Sequence, residues 1–338
     1  MSRKHKVIVT GGAGFIGSEL VRQLAHKDFQ VVVIDNLING RRENLEGLPE
    51  SVELVVADVR DCKRLAGLLK GTGILFHLAC LGVRHSIHSP LENHEVNATA
   101  ILHLLQEAKR ADVHRFVYVS SSEVYGTARW VPMTEDHQTF PMTVYGASKL
   151  AGECYTRAFH TTYGYPTVVV RPFNAFGPRC HHEGDSGEVI PKFMLHALAG
   201  KPMVIFGDGR QTRDFTYVSD TAAGILAAGQ SDAAVGHTIN LGNGREIAIN
   251  DLARTVAEAV GRPDCAVLHD NPRPGDVLRL YADTTKARSL LGFQPTVSLR
   301  QGLEQLKAWY ESLGRSPQEL LAQEVVHNWQ TPQSKRVA

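Results

Sequence analysis

Short apolar runs alternate with amphipathic stretches along the first half of the chain. The runs cover residues 6–10, 31–34, 52–57, 74–79, 115–119 and 167–170, and most of their residues are apolar. Such runs are typical of strands that are buried on both faces. Stretches with helical spacing lie between the runs, including 92–109 and 145–159. The pattern predicts an α/β protein with a doubly wound parallel sheet, whose ligand crevice lies at the carboxyl ends of the strands.

The first strand is followed by three glycines at the spacing G-x-x-G-x-x-G, namely Gly11, Gly14 and Gly17. Glycine there allows a tight turn and lets backbone N–H groups approach a pyrophosphate at the N-terminus of the next helix. The second run ends at Asp35, where a Rossmann unit has the acid that binds the adenosine ribose. A strand, a glycine turn, a helix and an acidic residue in this order predict dinucleotide binding. The alternative is that the glycines only form a structural turn. Asp35 would repel a 2′-phosphate, which favours NAD over NADP, although Arg41 and Arg42 lie nearby.

Tyr145 and Lys149 lie one helical turn apart on one face of the helix at 145–159. A lysine cation near a tyrosine favours the phenolate, so Tyr145 could accept a proton near neutral pH. The spacing also fits a surface helix turn with a half-buried tyrosine. The hydroxyl-rich stretch at 120–123, at the end of the fifth strand, favours catalysis. The candidate catalytic residues are Tyr145, Lys149, Ser121, Ser122 and Glu123.

Beyond about residue 175, the strands and helices become shorter and loop-like stretches such as 177–187 begin. We predict a Rossmann domain at 1–175 and a smaller C-terminal α/β region at 176–330, which mainly binds substrate and returns some elements to the first domain. A tail at 331–338 would follow. Two turns of the second region carry Arg213 and Arg273. Guanidinium donors match phosphate oxygens, so the two arginines could clamp a diphosphate. The alternative is that each is a solvated surface residue.

The chain of 338 residues has 36 basic and 35 acidic side chains and a formal net charge of +1. This balance argues against non-specific binding to nucleic acid or to an anionic membrane.

The five cysteines of the chain are scattered, which argues against a disulfide framework. The segment Cys180-His181-His182-Glu183 has no spaced partner ligand, so no metal site is expected. The basic start is followed by an apolar run too short for a signal peptide, so we expect a cytoplasmic protein.

Several motifs together resemble those of the extended short-chain dehydrogenase/reductases, and within them the NAD-dependent nucleotide-sugar epimerases, dehydratases and decarboxylases. The motifs are Thr10 to Gly17, His77-Leu78-Ala79, Asn97, Ser120 to Gly126, Tyr145-x-x-x-Lys149, Arg171 to Asn174 and Arg213-Asp214-Phe215. The resemblance implies an NAD that stays bound while Tyr145 removes the proton of the sugar 4-hydroxyl and carbon 4 is oxidised. Ser121 or Ser122 would share that proton.

The resemblance also implies the residues that bind each ligand. The expected cofactor-binding residues are Gly11, Gly14, Phe15, Ile16, Gly17, Asp35, Asn36, Asp58, Val59, Leu78, Ala79, Asn97, Tyr145 and Lys149. The expected residues for a UDP-linked sugar are Arg84, Ser121, Glu123, Asn174, Val189, Lys192, Phe206, Arg213 and Arg273. Asn174, Arg213 and Arg273 would lie around the nucleotide diphosphate.

Residues near the expected sugar position favour different reactions after oxidation at carbon 4. Glu123 follows Ser121 by two positions, as in relatives that resemble 4,6-dehydratases and UDP-glucuronate decarboxylases, where the acid works near carbon 5. Against this, Ser122 stands where dehydratases of thymidine nucleotides usually have an aspartic acid, and 280–283 lacks the Arg-Lys-Pro-Asp segment of the decarboxylases. Glu123 could instead be structural, accepting backbone hydrogen bonds at its turn.

Three stretches, 82–86, 189–193 and 273–277, look more like those of 4-epimerases, and Arg84 could meet a uronic carboxylate. We therefore expect first a UDP-sugar 4-epimerase of the UDP-glucose or UDP-glucuronate type. The alternative is decarboxylation or dehydration through Glu123, and an alternative of another class is a non-catalytic NAD-binding sensor or scaffold. The resemblance also implies a homodimer, with the helices at 92–109 and 145–159 forming a four-helix interface.

Overall fold

The computed structural model describes residues 5–27, 29–184 and 186–330. The predicted tail at 331–338 and residues 1–4 of the basic start lie outside the described residues. The strands are β1 (Lys6–Thr10), β2 (Gln30–Asp35), β3 (Val52–Val56), β4 (Thr72–His77), β5 (Arg115–Val119), β6 (Thr167–Pro172), β7 (Asn174–Phe176), β8 (Met203–Phe206), β9 (Thr212–Arg213), β10 (Phe215–Tyr217), β11 (Thr238–Leu241), β12 (Ile247–Ala248) and β13 (Val267–Asp270).

Seven of these strands form one parallel sheet in the order β11-β6-β5-β4-β1-β2-β3. Strand β1 lies between β2 and β4, so the chain runs outward to β3 and then returns past β1 to β4. In such a sheet, this reversal opens a crevice outside the carboxyl ends of the central strands. The predicted Rossmann-type doubly wound sheet is confirmed.

Helices cover both faces of the sheet. They are α1 (Phe15–His26), α2 (Cys62–Leu69), α3 (Val83–His88), α4 (Pro90–His94), α5 (Ala100–Arg110), α6 (Val144–Tyr163), α7 (Val189–Leu198), α8 (Val218–Gln230), α9 (Ile249–Val260), α10 (Thr285–Leu291), α11 (Leu299–Ser312) and α12 (Pro317–Leu321). Successive strand residues face opposite sides. Val7 and Val9 pack with α1 and α8, whereas Ile8 packs with α2 and α5. Among the described helices, none is long and apolar enough to cross a membrane.

The long helix expected at 92–109 is interrupted in the structure. Helix α4 passes through a π turn at Glu95–Thr99 before α5 begins. The helix expected at 145–159 is longer than predicted and runs from Val144 to Tyr163. The Thr143 hydroxyl caps its first turn, accepting from the Gly146 N–H at 3.1 Å, and Gly164 ends it with a φ of +64°.

The seventh strand of the sheet, β11, comes from the C-terminal half, from which some elements were expected to return to the first domain, although this strand itself was not identified. The rest of that half contains three two-stranded sheets, β7 with β10, β9 with β12, and β8 with β13. Helices α7, α9 and α11 bury a separate apolar core there, together with parts of these strands. The two halves are therefore joined through the sheet itself as well as along the chain.

A buried polar network fixes the end of β5 against its neighbours. Arg171 on β6 donates to both oxygens of the Glu153 carboxylate on α6, at 2.8 and 2.7 Å. The Ser120 hydroxyl donates to Glu153 at 2.6 Å, and Arg171 also donates to the Tyr125 hydroxyl at 2.8 Å. Tyr125 in turn donates to Asn240 of β11 at 2.7 Å. The network thus ties together three strands and α6 directly beneath the serine stretch at 120–122.

Candidate active site

A cavity of about 460 Å³ lies at the carboxyl ends of the central strands and is lined by both halves of the chain. This volume is in the range of small-molecule sites, roughly 300–1,000 Å³. The expected site residues that line it are Gly11, Gly14, Phe15, Ile16, Gly17, Asp35, Asn36, Val59, Leu78, Ala79, Arg84, Ser121, Ser122, Glu123, Tyr145, Lys149, Asn174, Val189, Lys192, Phe206, Arg213 and Arg273. Asp58 and Asn97 are not among the lining residues.

The glycine loop forms one wall of this cavity. Gly11 has a φ of +70°, and a side chain there would meet the backbone nitrogen of Ala79 at 2.6 Å. A side chain at Gly17 would lie 2.1 Å from the carbonyl oxygen of Gly11. No side chain caps the first turn of α1, so its N–H groups are available to an anion. The loop therefore suits the pyrophosphate of a dinucleotide.

Asp35 lies at the end of β2, beside this loop. Its carboxylate accepts from the backbone N–H groups of Ala13, at 3.0 Å, and Leu37, at 2.9 Å. Burial raises the pKa of Asp35, while these two hydrogen bonds lower it. A carboxylate can accept about four hydrogen bonds, so Asp35 keeps capacity for hydroxyl donors of a ligand. Nearby Arg41 pairs with Glu183 at 2.7 Å.

Asp58 and Asn97 support the cavity wall from outside. Asp58 accepts from Asn36 at 3.0 Å and pairs with Arg60 at 2.8 Å, and the Arg60 hydrogen bonds lower its pKa to about 2. Buried Asn97 accepts from the N–H of Leu81 and donates to its carbonyl oxygen, both at 2.9 Å. In this structure, Asp58 holds Asn36 and Asn97 holds the segment after β4, and their expected contacts with a cofactor stay a prediction.

Helix α6 brings Tyr145 and Lys149 into the cavity, opposite the serine stretch. The Lys149 ammonium donates to the carbonyl oxygen of Val119 at 2.7 Å and lies 5.0 Å from the centre of the Tyr118 ring. Its side chain is buried, and burial lowers its pKa. Both expected catalytic side chains therefore line the cavity, and Lys149 is held in place by the end of β5.

The environment of Tyr145 differs from our expectation that Lys149 lowers its pKa. Burial raises the pKa of Tyr145 well above its ordinary value, and the charge of Glu123 raises it further. A hydrogen bond with the Ser121 side chain lowers it. Ser121, rather than the buried Ser122, is therefore the hydroxyl that stabilises a charged phenolate here.

Glu123 faces a cluster of arginines across the cavity. Arg213 and Arg273 both contact the Asp276 carboxylate, at 2.5 and 2.7 Å, so they lie together as a diphosphate clamp requires. Burial raises the pKa of Glu123, whereas Arg213 and then Arg273 lower it. Within the described residues, no hydrogen bond is made to the Glu123 carboxylate. This does not support a structural role as an acceptor at its turn.

Two cavity side chains carry a buried polar atom that has no hydrogen bond among the described residues. They are Arg84, at Nε, and Asn174, at Oδ1. Burial lowers the pKa of Arg84 to about 10. Because a buried unsatisfied polar group costs stability, a ligand that pairs with these atoms gains binding free energy.

Comparison with known proteins agrees with this geometry. A family model described as GDP-mannose 4,6 dehydratase matches residues 8–306. The chain belongs to the extended short-chain dehydrogenase/reductases. The UDP-glucose 4-epimerase of Mycolicibacterium smegmatis is 38% identical over 304 residues, which are 88% of this chain and 96% of that protein. The resemblance inferred from the motifs is confirmed.

Other members of the family carry out a different reaction or have been solved with ligands. UDP-glucuronic acid decarboxylase 1 of Arabidopsis thaliana is 34% identical over 312 residues, covering 90% of this chain and 69% of that protein. A structure of a UDP-glucuronic acid 4-epimerase variant from Bacillus cereus, in complex with UDP-4-deoxy-4-fluoro-glucuronic acid and NAD, has a TM-score of 0.85. It is 31% identical and covers 91% of this chain and 99% of that chain.

Some cavity residues of this family member were missed by the sequence analysis. Glu188 precedes α7 and lines the cavity, but its side chain does not cap that helix. Burial raises its pKa to about 6, while the charges of His181 and Arg84 lower it. The segment 180–183 comes shortly before Glu188 in the chain. There, His181 and His182 face Glu183 at 3.1 and 3.3 Å, and no described group of three or more potential ligands is arranged to hold a metal.

The raised pKa of Glu188 makes its ionised form unfavourable in the folded protein. Well below its ordinary pKa of 4.5 this group costs nothing; the cost grows as the pH rises from 4.5 to about 6 and is fully developed above that. At pH 8 we expect Glu188→Gln to be more stable than the wild type, by up to about 2 kcal/mol, and nearly equal to it at pH 4.5. Urea unfolding at the two pH values measures this.

Glu183→Gln is the matched control. Hydrogen bonding to His181 lowers the pKa of Glu183 despite burial, so its replacement should reduce stability at pH 8. A loss of stability at pH 8 in both variants would contradict the assigned environment of Glu188.

Proposed function

We propose that this protein is an NAD-dependent UDP-sugar 4-epimerase that acts through transient oxidation at carbon 4 of the sugar. The observation that carries the proposal is the placement of Tyr145, Lys149 and Ser121 on one cavity, which also contains the glycine loop and the arginine pair. The epimerases among its relatives support the choice of reaction. UDP-glucose and UDP-glucuronate are the first substrates to test.

The residues of the cavity fit NAD. The loop at Gly11 to Gly17 would hold the pyrophosphate, and Asp35 would accept from the adenosine ribose. Asp35 would repel a 2′-phosphate, and Arg41 is already paired with Glu183, which supports NAD over NADP. When bound, NAD supplies the acceptor for the carbon 4 hydrogen and a positive charge that favours the phenolate.

The side chains around Tyr145 account for the proton transfer. Tyr145 would take the proton of the 4-hydroxyl, and Ser121 would share it through their hydrogen bond. Lys149, fixed by the Val119 carbonyl, would hold a ribose hydroxyl of the cofactor. Because the site is buried, these interactions act in a medium of low dielectric constant and are stronger than in water.

The far side of the cavity would bind the nucleotide diphosphate and the sugar. Arg213 and Arg273 would hold phosphate oxygens, with Asn174 beside them. The unpaired Nε of Arg84 would suit the carboxylate of a uronic acid, which supports UDP-glucuronate as one substrate. None of the five cysteines is in a disulfide, which suits the reducing cytoplasm that we propose as its location.

A second candidate reaction is removal of a group at carbon 5 or 6, as in the decarboxylases of the family. The observation in its favour is the Glu123 carboxylate, which lines the cavity, has a raised pKa and makes no hydrogen bond within the described chain. A ketone at carbon 4 would acidify the carbon 5 hydrogen, and a carboxylate placed there could remove it while the carbon 6 hydroxyl leaves as water. In decarboxylation, the ketone would instead take up the electrons of the broken bond between carbons 5 and 6, and the protonated carboxyl could give a proton to carbon 5. A non-catalytic binder is the remaining alternative, which the presence of both Tyr145 and Lys149 disfavours.

Proton NMR in heavy water distinguishes these reactions. With UDP-glucose or UDP-glucuronate, we expect inversion at carbon 4 and no deuterium on the sugar ring, because the carbon 4 hydrogen returns without exchanging with solvent. Deuterium at carbon 5, or release of carbon dioxide or water, would show that the second candidate reaction takes place instead of epimerisation. No change in a broad panel of nucleotide sugars would favour the non-catalytic binder.

The variant Glu123→Gln makes the same distinction in a second way. An epimerase should keep most of its turnover, because Glu123 has no part in transfer at carbon 4. A reaction at carbon 5 should nearly stop, since it loses its base.

For Tyr145→Phe we expect turnover to fall by at least about a hundredfold, which is the usual scale for loss of a general base. The ring is retained and the cofactor loop is untouched, so the NAD content of the purified protein should stay the same. Turnover is followed by the NMR assay and NAD by absorbance after denaturation. Turnover like that of the wild type would remove Tyr145 from the mechanism.

We also propose that two copies pair through α5 and α6. The outward face of α6 carries the small residues Ala147, Ala151, Cys154 and Ala158 at helical spacing. Close by in the fold, Leu102 on α5 is 41% exposed and Leu91 on α4 is 79% exposed. Small residues let helices approach closely, and apolar groups in water favour their burial.

Sedimentation equilibrium tests this pairing. The wild type should have about twice the chain mass of 37.1 kDa, and Ala158→Arg should sediment as a monomer because a charge would enter the helix contact. Leu313→Arg, at an exposed position beyond α11, is the control and should remain a dimer. A monomeric wild type, or a dimeric Ala158→Arg, would contradict the interface.

A further inference from the structure

The last described segment of the chain, residues 322–330, forms a strap along the substrate side of the cavity. We call it the C-terminal strap. Four of its residues line the cavity, namely Glu324, Val326, Asn328 and Trp329. The strap follows α12 and lies beyond residue 306, where the match to the family ends. It therefore lies outside the part of the chain that the family model matches.

Specific contacts hold the strap to the C-terminal half. Glu324 pairs with His196 of α7 at 2.7 Å, and Lys192 of the same helix donates to the carbonyl oxygen of Val325, also at 2.7 Å. His327 pairs with Asp270 of β13 at 2.9 Å. Glu324, Val325 and His327 make these contacts, and they are interspersed along the strap with the cavity-lining residues. The strap is thus fixed at several points rather than lying loosely on the surface.

The next anchor holds the end of the strap. The side-chain amide of Asn328 donates to the carbonyl oxygen of Gly187 at 3.1 Å, and Asn328 is 4% exposed. This contact limits the movement of the adjoining Trp329. An indole held in this way loses little conformational freedom when a ligand binds against it, so less binding free energy is spent on ordering it.

Trp329 forms an aromatic corner with Phe206. Their ring centres are 4.7 Å apart and their planes are nearly perpendicular, at 87°. The His327 ring lies against Trp329 at 5.3 Å. Both Trp329 and Phe206 line the cavity, on the side where Lys192 and the arginine pair would meet a nucleotide sugar. Two aromatic rings at right angles offer a planar ligand one ring face for stacking and one ring edge.

We propose that Trp329, presented by the C-terminal strap, forms a nucleobase subsite with Phe206 and stacks on the pyrimidine ring of UDP-linked substrates. This inference rests on the proposed nucleotide-sugar function. The base is the one planar, aromatic part of such a substrate, and the arginine pair accounts for its diphosphate. Stacking of a base on an aromatic side chain contributes about 1–3 kcal/mol.

Calorimetric titration of the NAD-loaded protein with UDP tests the subsite without requiring turnover. Trp329→Ala should weaken UDP binding roughly 5- to 150-fold, the equivalent of the stacking free energy. Trp329→Phe should retain most of the affinity because it keeps a ring. Trp329→Leu keeps apolar bulk without a ring and should resemble the alanine variant. Trp130→Ala, at a tryptophan outside the cavity, is the control and should bind as the wild type does.

A second titration, with 5,6-dihydro-UDP, separates stacking from a general effect of the strap. Its base ring is no longer aromatic, while its ribose and diphosphate are unchanged. The wild type should bind it more weakly than UDP, and this difference should disappear in Trp329→Ala and Trp329→Leu. Equal loss of affinity for both ligands in these variants would show that the strap only closes the cavity, and would overturn the stacking.

The outcomes also separate this inference from the proposed function. If the wild type and Trp329→Ala bind UDP equally, the subsite is wrong while the function stands. If the wild type binds no UDP at millimolar concentration, both are wrong. If UDP binds through Trp329 but no sugar is converted, the subsite stands and the epimerase proposal falls.

Discussion

The buried ion pair between Glu153 and Arg171 holds together the elements that form the active site. Two charges removed from water are tolerated only when nearly all of their donors and acceptors are satisfied. Here the carboxylate receives two hydrogen bonds from Arg171 and one from Ser120. Burial alone would raise the pKa of Glu153, yet Arg171 holds it below its ordinary value. The pair therefore stays ionised and keeps β5, β6 and α6 in a fixed arrangement.

This arrangement decides where the reactive groups lie. Glu153 is one turn after Lys149 and two turns after Tyr145 on the same helix, and Ser120 precedes Ser121 in the chain. When Glu153 binds Ser120, the phenol of Tyr145 and the hydroxyl of Ser121 are brought to the same side of the cavity. The hydrogen bond from Lys149 to Val119 fixes the same helix to the same strand at a second point. Small displacements of α6 would thus disturb both contacts together.

The charges in the cavity are closely balanced, which matters because the cavity is buried. Arg213 and Arg273 share the carboxylate of Asp276, and Glu188 acts electrostatically on Arg84. In a medium of low dielectric constant, an uncompensated charge is costly, as the raised pKa values of Glu123 and Glu188 record. Binding of a diphosphate is favoured here because it brings negative charge to Arg213 and Arg273. Their shared partner, Asp276, neutralises only part of their positive charge.

The sequence by itself determined six of the seven strands of the sheet, the glycine loop and the Tyr/Lys pair. These are local features, since buried parallel strands need apolar runs, a tight turn needs glycine, and helical spacing puts residues four apart on one face. Strand β11 was missed because its four residues, Thr238 to Leu241, carry little pattern, and only pairing with β6 makes them a strand. Domain limits at about 175 stay a prediction.

Only the tertiary structure decided the electrostatics and the outer wall of the cavity. The pKa of Tyr145 depends on its burial and on Ser121 and Glu123, none of which spacing reveals. The positions of Glu188 and Trp329 at the cavity also follow from packing between segments far apart in the chain, and neither stands in a motif. The physical reason is that a motif records backbone geometry and local chemistry, whereas desolvation and long-range contact depend on what the rest of the chain places beside each side chain.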